Sequence, residues 1–349
     1  PCLKSTHYFM RGPSLLSGNS FMSNTSTSTS ATQPAIVWAD PAREAAFQAW
    51  LQAQVAEHGV LPQTVRAASA DASFRRYFRV DAGQNGSLIV MDAPPAQEDC
   101  KPFVSVARLL EAGGVTVPHI LSWDEAQGFM LISDLGHSTF LSTLDMNDAN
   151  APGNRARYDA ALDELVRIQQ VPAQGKVPPY DDALLQREMD LLPQWYLTQL
   201  RGLTLTDDDQ AMLTRTFALI KAQVLAQPQV LVHRDYHSRN LMADPQNAKA
   251  RLGVIDFQDA VFGAITYDAV SLLRDAYVMW DEDVQLDYAV RYWEKARKAG
   301  LPIAEDFGDF WRDFEWMGLQ RHLKVLGIFA RLALRDGKRA YLDDIPRVW

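Results

Sequence analysis

One stretch of this sequence concentrates side chains suited to moving a phosphoryl group: Leu231-Val232-His233-Arg234-Asp235-Tyr236-His237-Ser238-Arg239-Asn240-Leu241-Met242. Its histidine–arginine–aspartate triplet is followed, four residues on, by an asparagine, the spacing of a phosphoryl-transfer loop. An aspartate at Asp235 can orient an acceptor hydroxyl and take its proton. Asn240 can offer a neutral oxygen to Mg2+ without a second full negative charge beside the phosphates of ATP. The intervening residues let both side chains converge from one loop. Downstream, Arg251-Leu252-Gly253-Val254-Ile255-Asp256-Phe257-Gln258-Asp259 is an apolar strand ending in an acid. Asp256 is placed to chelate the Mg2+ that bridges the β- and γ-phosphates, while Asp259 either reaches a second metal or caps the next turn.

Taken alone, a His-Arg-Asp triplet is a turn, and a strand-ending aspartate is a cap or an exposed charge. What points to catalysis is their order, with apolar strands around each. His233 reads as a residue that holds the loop by hydrogen bonds, not as a proton-transfer group. His237 and Arg239 are candidates for contact with substrate or phosphate. Asp268, in Thr266-Tyr267-Asp268, either braces the loop from the next helix or caps that helix.

The elements around these motifs follow from periodicity and turn residues. Asp40 can cap a helix with Pro41 at its first position; Phe47, Trp50, Leu51 and Val55 keep helical spacing, and Gly59 ends it. Strands are predicted at Thr64 to Ala67, Tyr77 to Val80 and Leu88 to Met91, the first two joined by the polar turn Ser69 to Ser73. A helix carries Phe103, Val106, Ala107 and Leu110 on one face, with Gly113-Gly114 beyond it, and strands follow at Ile120 to Trp123 and Phe129 to Ser133. After Gly136 the pattern is mostly helical, including Leu184 to Leu200, Ala211 to Leu225 and Trp311 to Leu334. This gives an α+β chain with a small β-rich N-lobe over residues 35–135 and a larger helical C-lobe over 136–349. Residues 1–34 contain a Ser/Thr/Asn run too polar to fold and read as a disordered tail, with Met22 as a plausible start.

Bulk composition narrows the function. A chain of 349 residues that is 47% hydrophobic can bury the cores of two lobes. No apolar run is long enough to span a bilayer, and the two cysteines, Cys2 and Cys100, give neither a disulfide framework nor metal-ligand spacing. These features favour the cytoplasm. The net charge of -9 argues against a nucleic-acid partner, and no obligatory protein partner is evident.

The segment from His233 to Asn240, with Ile255 to Asp259 and Tyr267-Asp268, resembles the aminoglycoside phosphotransferase and choline kinase superfamily. The resemblance covers residues from about 36 to the end. Longer strings narrow it: Phe74-Arg75-Arg76-Tyr77-Phe78-Arg79-Val80, Met91-Asp92-Ala93-Pro94-Pro95, Asp256-Phe257-Gln258-Asp259-Ala260 and Gln320-Arg321-His322-Leu323-Lys324 look like the bacterial anomeric sugar kinases. Those enzymes phosphorylate N-acetylmuramate and N-acetylglucosamine at C1 in peptidoglycan recycling. The resemblance implies a two-lobed protein-kinase-like fold with ATP between the lobes, adenine on the backbone of Ser133-Asp134-Leu135, and the Ser69 to Ser73 turn over the phosphates, with their hydroxyls in reach. Most kinases carry a third-strand lysine for the phosphates; here Met91 stands in its place, with Arg76, Arg79 and Lys101 as candidate substitutes. The amino sugar would be the small-molecule partner, with Arg321 facing the muramate carboxylate; otherwise Arg321 belongs to a solvated basic face with His322, Lys324, Arg331 and Arg335. The alternatives are a kinase of an aminoglycoside, choline or a hydroxyl amino acid, a protein kinase, and a non-catalytic nucleotide-binding pseudokinase.

Overall fold

The computed structural model describes residues 36–70, 74–83 and 86–349. The expected tail and Ser73 lie outside the described residues, as does the side chain of Ser69. Helix α1 (Pro41–Ala53) starts where its cap predicts: Asp40 accepts the Ala42 N–H at 2.8 Å, and Pro41 occupies the first turn. A short α2 (Val55–His58) stops at Gly59, whose φ of 65° suits glycine.

A five-stranded antiparallel sheet follows, made of β1 (Arg66–Ala70), β2 (Arg76–Asp81), β3 (Ser87–Asp92), β4 (Ile120–Asp124) and β5 (Phe129–Ser133) in the order β1-β2-β3-β5-β4. The first strand begins later than its sequence predicts. Pro62–Thr64 forms a 3-10 turn in which Thr64 Oγ1 donates to Leu61 O and accepts the Asp81 N–H, so pairing starts at Arg66. Helix α3 (Lys101–Ala112) connects β3 to β4.

Strand alternation gives the sheet two distinct faces. Phe78, Val80, Leu88, Val90, Phe129 and Leu131 pack with Phe47, Trp50 and Leu51 of α1. Met91, Met130 and Ile132 point the other way and join the main core with Phe103 and Ala107 of α3. Met91 is therefore a core side chain.

Arg76 shares parity with Phe78 and lies on the α1 face. There the wholly buried Asp92 carboxylate takes Arg76 Nε at 2.9 Å and Arg43 Nη2 at 2.6 Å. The Arg76 guanidinium lies 3.9 Å from the centre of the Trp38 ring, and that of Arg43 lies 3.9 Å from Phe129. The expectation that Arg76 meets the nucleotide is corrected: period-two alternation turns it to the opposite side of the sheet.

Beyond Ser133 come the helices α4 (Phe140–Thr143), α5 (Pro152–Gln169), α6 (Asp182–Met189), α7 (Asp207–Leu225), α8 (Tyr267–Leu273), α9 (Glu282–Lys298), α10 (Phe307–Leu334) and α11 (Ile345–Val348). The continuous helix expected over Leu184–Leu200 is interrupted. Pro193 has no N–H to donate, and Leu192–Leu200 widens to π geometry. Helix α7 starts earlier than predicted, because Thr206 and Asp209 form a reciprocal capping box. Sheet and helices together give the two-lobed, kinase-like α+β fold.

Replacing Asp92 with alanine leaves two partly buried guanidinium groups without their counter-charge. Urea unfolding of Asp92→Ala should show a loss of about 1.5–3 kcal/mol, whereas Arg76→Met should lower stability without changing nucleotide affinity.

Candidate active site

Two short ribbons bracket the motif loops. Strand β6 (Gln229–Val232) pairs with β9 (Val261–Ala264), and β7 (Leu241–Met242) pairs with β8 (Gly253–Val254). The apolar runs on either side of each motif thus become the anchors their pattern predicts. Among the described residues, only Arg234 (φ 77°) and Asp256 (φ 66°) are non-glycine residues with left-handed backbone, one in each motif loop. Such strain persists only where surrounding contacts hold it.

Those contacts are present. Asp268 accepts the His233 N–H at 2.7 Å and the Arg234 N–H at 3.0 Å, so it braces the loop. The buried His233 ring donates from Nε2 to Ile255 O at 3.0 Å and accepts the Asp235 N–H on Nδ1 at 3.2 Å, which fixes one neutral tautomer. Burial pushes its pKa down to about 4, as a structural role requires. Asn240 Nδ2 donates to Asp235 O at 3.0 Å and lies 3.3 Å from Asp256 Oδ2. Its Oδ1 is the amide atom left to meet a cation. Asp256 Oδ1 accepts from Gln258 Nε2 at 2.8 Å. One amide oxygen and one carboxylate form a hard donor set, and they suit a Mg2+ ion that completes its shell with phosphate oxygens and water. Asp259 supplies its backbone carbonyl to Arg234 Nη1 at 3.3 Å.

A cavity of about 430 Å3 is lined by residues from both lobes, including Arg79, Ser133, Leu135, His137, Arg239, Asn240 and Asp256. Ser133 is committed to the sheet, its N–H donating to His119 O at 2.9 Å and its Oγ accepting the His119 N–H at 2.8 Å. The Leu135 N–H has no partner among the described residues and is the open donor of the linker. Arg79 is the arginine of β2 that does reach the cavity, but Asp134, His137 and Gly136 O occupy its N–H groups. Lys101 is exposed and pairs with Glu125 at 3.1 Å.

Asp235, His237 and Arg321 are not among the lining residues of this cavity; they stand close to one another behind Asn240, whose Nδ2 donates to Asp235 O. The predicted basic face of α10 splits: Arg321 and Lys324 turn inward and are buried, while Arg335 stays on the surface with Asp336. Burial alone would raise the Asp235 carboxyl, but Lys324, His237, Arg321 and His233 outweigh it and hold the group below its ordinary value. The Arg321 guanidinium lies 5.7 Å from the Tyr267 ring and makes no hydrogen bond or ion pair among the described residues. His237 Nδ1 is buried without a partner among the described residues, and Arg239 stacks 3.6 Å from the Tyr277 ring.

Sequence reasoning missed Glu188. It sits on α6 in an amphipathic stretch without a motif, yet its buried carboxylate takes Arg234 Nη2 at 2.5 Å, Lys324 Nζ at 2.9 Å and Tyr180 Oη at 2.5 Å. Lys324 also donates to Tyr267 Oη at 2.8 Å. Burial would raise Glu188, but the two cations outweigh it and bring its pKa to about 2. The inward turn of Lys324 was legible only as its three-residue spacing from Arg321.

The profile of the phosphotransferase enzyme family matches residues 64–314. The chain belongs to that family. This phosphotransferase is 47% identical to a Pseudomonas aeruginosa protein named N-acetylmuramate/N-acetylglucosamine kinase, over 88% of this chain and 90% of the relative. A Neisseria meningitidis protein of the same name is 43% identical over 87% and 88%. Among solved structures, the GDP complex of aminoglycoside 2'-phosphotransferase-IIIa superposes with a TM-score of 0.59 at 15% identity, covering 87% of this chain and 96% of that one. A Plasmodium vivax ethanolamine kinase gives 0.57 at 11% identity, covering 82% and 81%. These two structures establish the fold of the phosphotransferase and nothing finer.

Glu188→Gln keeps the shape but removes the counter-charge of two buried cations. The variant should lose about 3 kcal/mol of stability in chemical denaturation and a large part of kcat, with a smaller change in nucleotide affinity.

Proposed function

We propose that this phosphotransferase moves the γ-phosphoryl group of ATP, with Mg2+, to the anomeric C1 hydroxyl of N-acetylmuramate or N-acetylglucosamine, as a cytoplasmic step of peptidoglycan recycling. The shared name of the relatives, at 47% and 43% identity along nearly their whole length, carries this reading. Residues 35–135 act as the nucleotide-binding lobe and 136–349 as the catalytic and acceptor-binding lobe.

Asp235 orients the C1 hydroxyl and receives its proton as the sugar oxygen bonds to the γ-phosphorus; the bond from that phosphorus to the bridging oxygen breaks and ADP leaves. Asn240 and Asp256 would hold Mg2+, which supplies charge neutralisation at the β- and γ-phosphates. The Leu135 N–H and the neighbouring Ser133 carbonyl meet adenine. His237 and Arg239 face the acceptor and the transferred group. Arg321 takes the lactyl carboxylate of muramate: its guanidinium is buried and without an ion pair among the described residues, a setting that a fork-shaped anion completes. Cationic aminoglycosides or choline gain nothing from Arg321 and Lys324.

Phosphorus NMR of the product distinguishes C1 from C6. A 1-phosphate should couple to the anomeric proton and release phosphate in mild acid, because its departure leaves an oxocarbenium ion stabilised by the ring oxygen. A stable product coupled to the C6 protons refutes C1, and transfer only to an aminoglycoside or choline refutes the amino-sugar acceptor. Asp235→Asn should cut turnover by about a hundredfold or more while Mg·ATP still binds.

Arg321→Ala should raise KM for N-acetylmuramate more than for N-acetylglucosamine, since only muramate has the carboxylate to lose. Equal changes in both constants would remove Arg321 from carboxylate recognition.

A further inference from the structure

The linker after β5 is bound to the sheet by an unusually dense polar clamp. Arg79 reaches Asp134 with Nε and with Nη2, the latter at 2.9 Å, and Nη2 also donates to Gly136 O at 2.8 Å. Asp134 further accepts Ser87 Oγ at 2.6 Å and the Gly136 N–H at 2.9 Å. Gly136 takes a φ of 97°, so the chain turns sharply just before His137. Arg79 Nη1 then lies 2.7 Å from His137 Nδ1.

That last contact determines the state of the imidazole. A guanidinium only donates, so Nδ1 must be the accepting nitrogen, the ring must be neutral, and its proton must sit on Nε2. A second proton would place two cations in contact. His137 lines the same cavity as Leu135, Asn240 and Asp256, and no described residue accepts from its Nε2–H. A nucleotide reaching from the open Leu135 N–H to the Asn240–Asp256 pair must lay its sugar along the wall that His137 helps form. A neutral, oriented N–H matches a hydroxyl better than a phosphate, which calls for a cation.

We propose that His137 Nε2–H donates a hydrogen bond to a ribose hydroxyl of the bound nucleotide, and that Arg79 is the positioning residue that holds the imidazole in the donating tautomer. The proposal rests on the ATP site described above and is independent of the acceptor sugar. It assigns Arg79 to the linker and the ribose, not to the phosphates.

The test is calorimetric binding of Mg·ATP and Mg·2',3'-dideoxy-ATP without sugar, to the full chain and to three variants. The unmodified protein should bind the dideoxy nucleotide about five- to tenfold more weakly, the scale of one hydrogen bond. His137→Ala should lose that factor for ATP and nothing for dideoxy-ATP. His137→Gln, whose amide nitrogen can occupy the Nε2 position, should recover part of it. Arg79→Met should narrow the discrimination between the two nucleotides, a change that mere loosening of the fold would not produce. Equal weakening of both nucleotides in His137→Ala, or no discrimination by the unmodified protein, overturns the proposal. Failure of the unmodified protein to bind either nucleotide overturns it together with the ATP site itself.

Discussion

The left-handed turn at Arg234 is the constraint around which the C-terminal helices are arranged. A non-glycine residue in that conformation costs on the order of 1–3 kcal/mol, and three helices contribute to holding it. Asp268 on α8 accepts the two N–H groups at the turn. Glu188 on α6 holds the Arg234 guanidinium, and Lys324 on α10 joins the same carboxylate. The second strained residue, Asp256, is tied to the first through Ile255, whose N–H donates to Asn240 O and whose carbonyl accepts from His233. Because each loop holds the other, the carboxylates of Asp235 and Asp256 are set relative to one another before any ligand arrives.

The charges that hold the loop also tune it. Arg234, Lys324 and Arg321 stand among Glu188, Asp235 and Asp268, so a net acidic chain contains a nearly balanced buried centre. The result at Asp235 is a carboxylate held below its ordinary pKa, hence ionised but weakly basic. For an acceptor alcohol this is a poor base in the ground state. It suffices where the transition state is loose and the alcohol becomes acidic only as its bond to phosphorus forms. In the proposed reaction, orientation of the hydroxyl would then matter more than early proton removal, and the braced loop would supply that orientation.

Much of this was legible in the sequence because the chemistry is local in the chain. Asp235, Asn240 and Asp256 lie in short segments whose flanking apolar runs form the expected ribbons. The five strands and α1 were visible through alternation and caps. What escaped was whatever depends on direction or distance. Arg76 and Arg79 look equivalent as letters, but period-two alternation sends one to the α1 face and the other to the cleft. Arg321 and Lys324 read as part of a basic helix face because the sequence does not show that α10 packs along the catalytic loop. Glu188 carries no motif, since its partners lie 46 residues away at Arg234 and 132 residues away at Gln320. The break at Pro193 within the helix expected over Leu184–Leu200 also escaped, and the π geometry that follows it is set by packing.

The substituted third-strand lysine shows how these placements bear on catalysis. Met91 occupies the lysine position and is fully buried in the core against α3, where an ammonium group would need a buried partner. Of the three candidate replacements, Arg76 neutralises Asp92 on the far face, Arg79 is committed to Asp134 and the linker, and Lys101 pairs with Glu125 at the surface. Arg239 differs from all three. It precedes Asn240, lines the cavity with Asp256, and lies over the Tyr277 ring with no ion pair among the described residues. Stacking on an aromatic face holds a guanidinium plane while leaving its N–H edge open to oxygen acceptors. In the proposed reaction the charge of the triphosphate would therefore be shared between a metal that Asn240 and Asp256 would hold and the Arg239 guanidinium of the same loop as Asp235. That arrangement relieves the third strand of contact with the phosphates and lets Met91 serve the core.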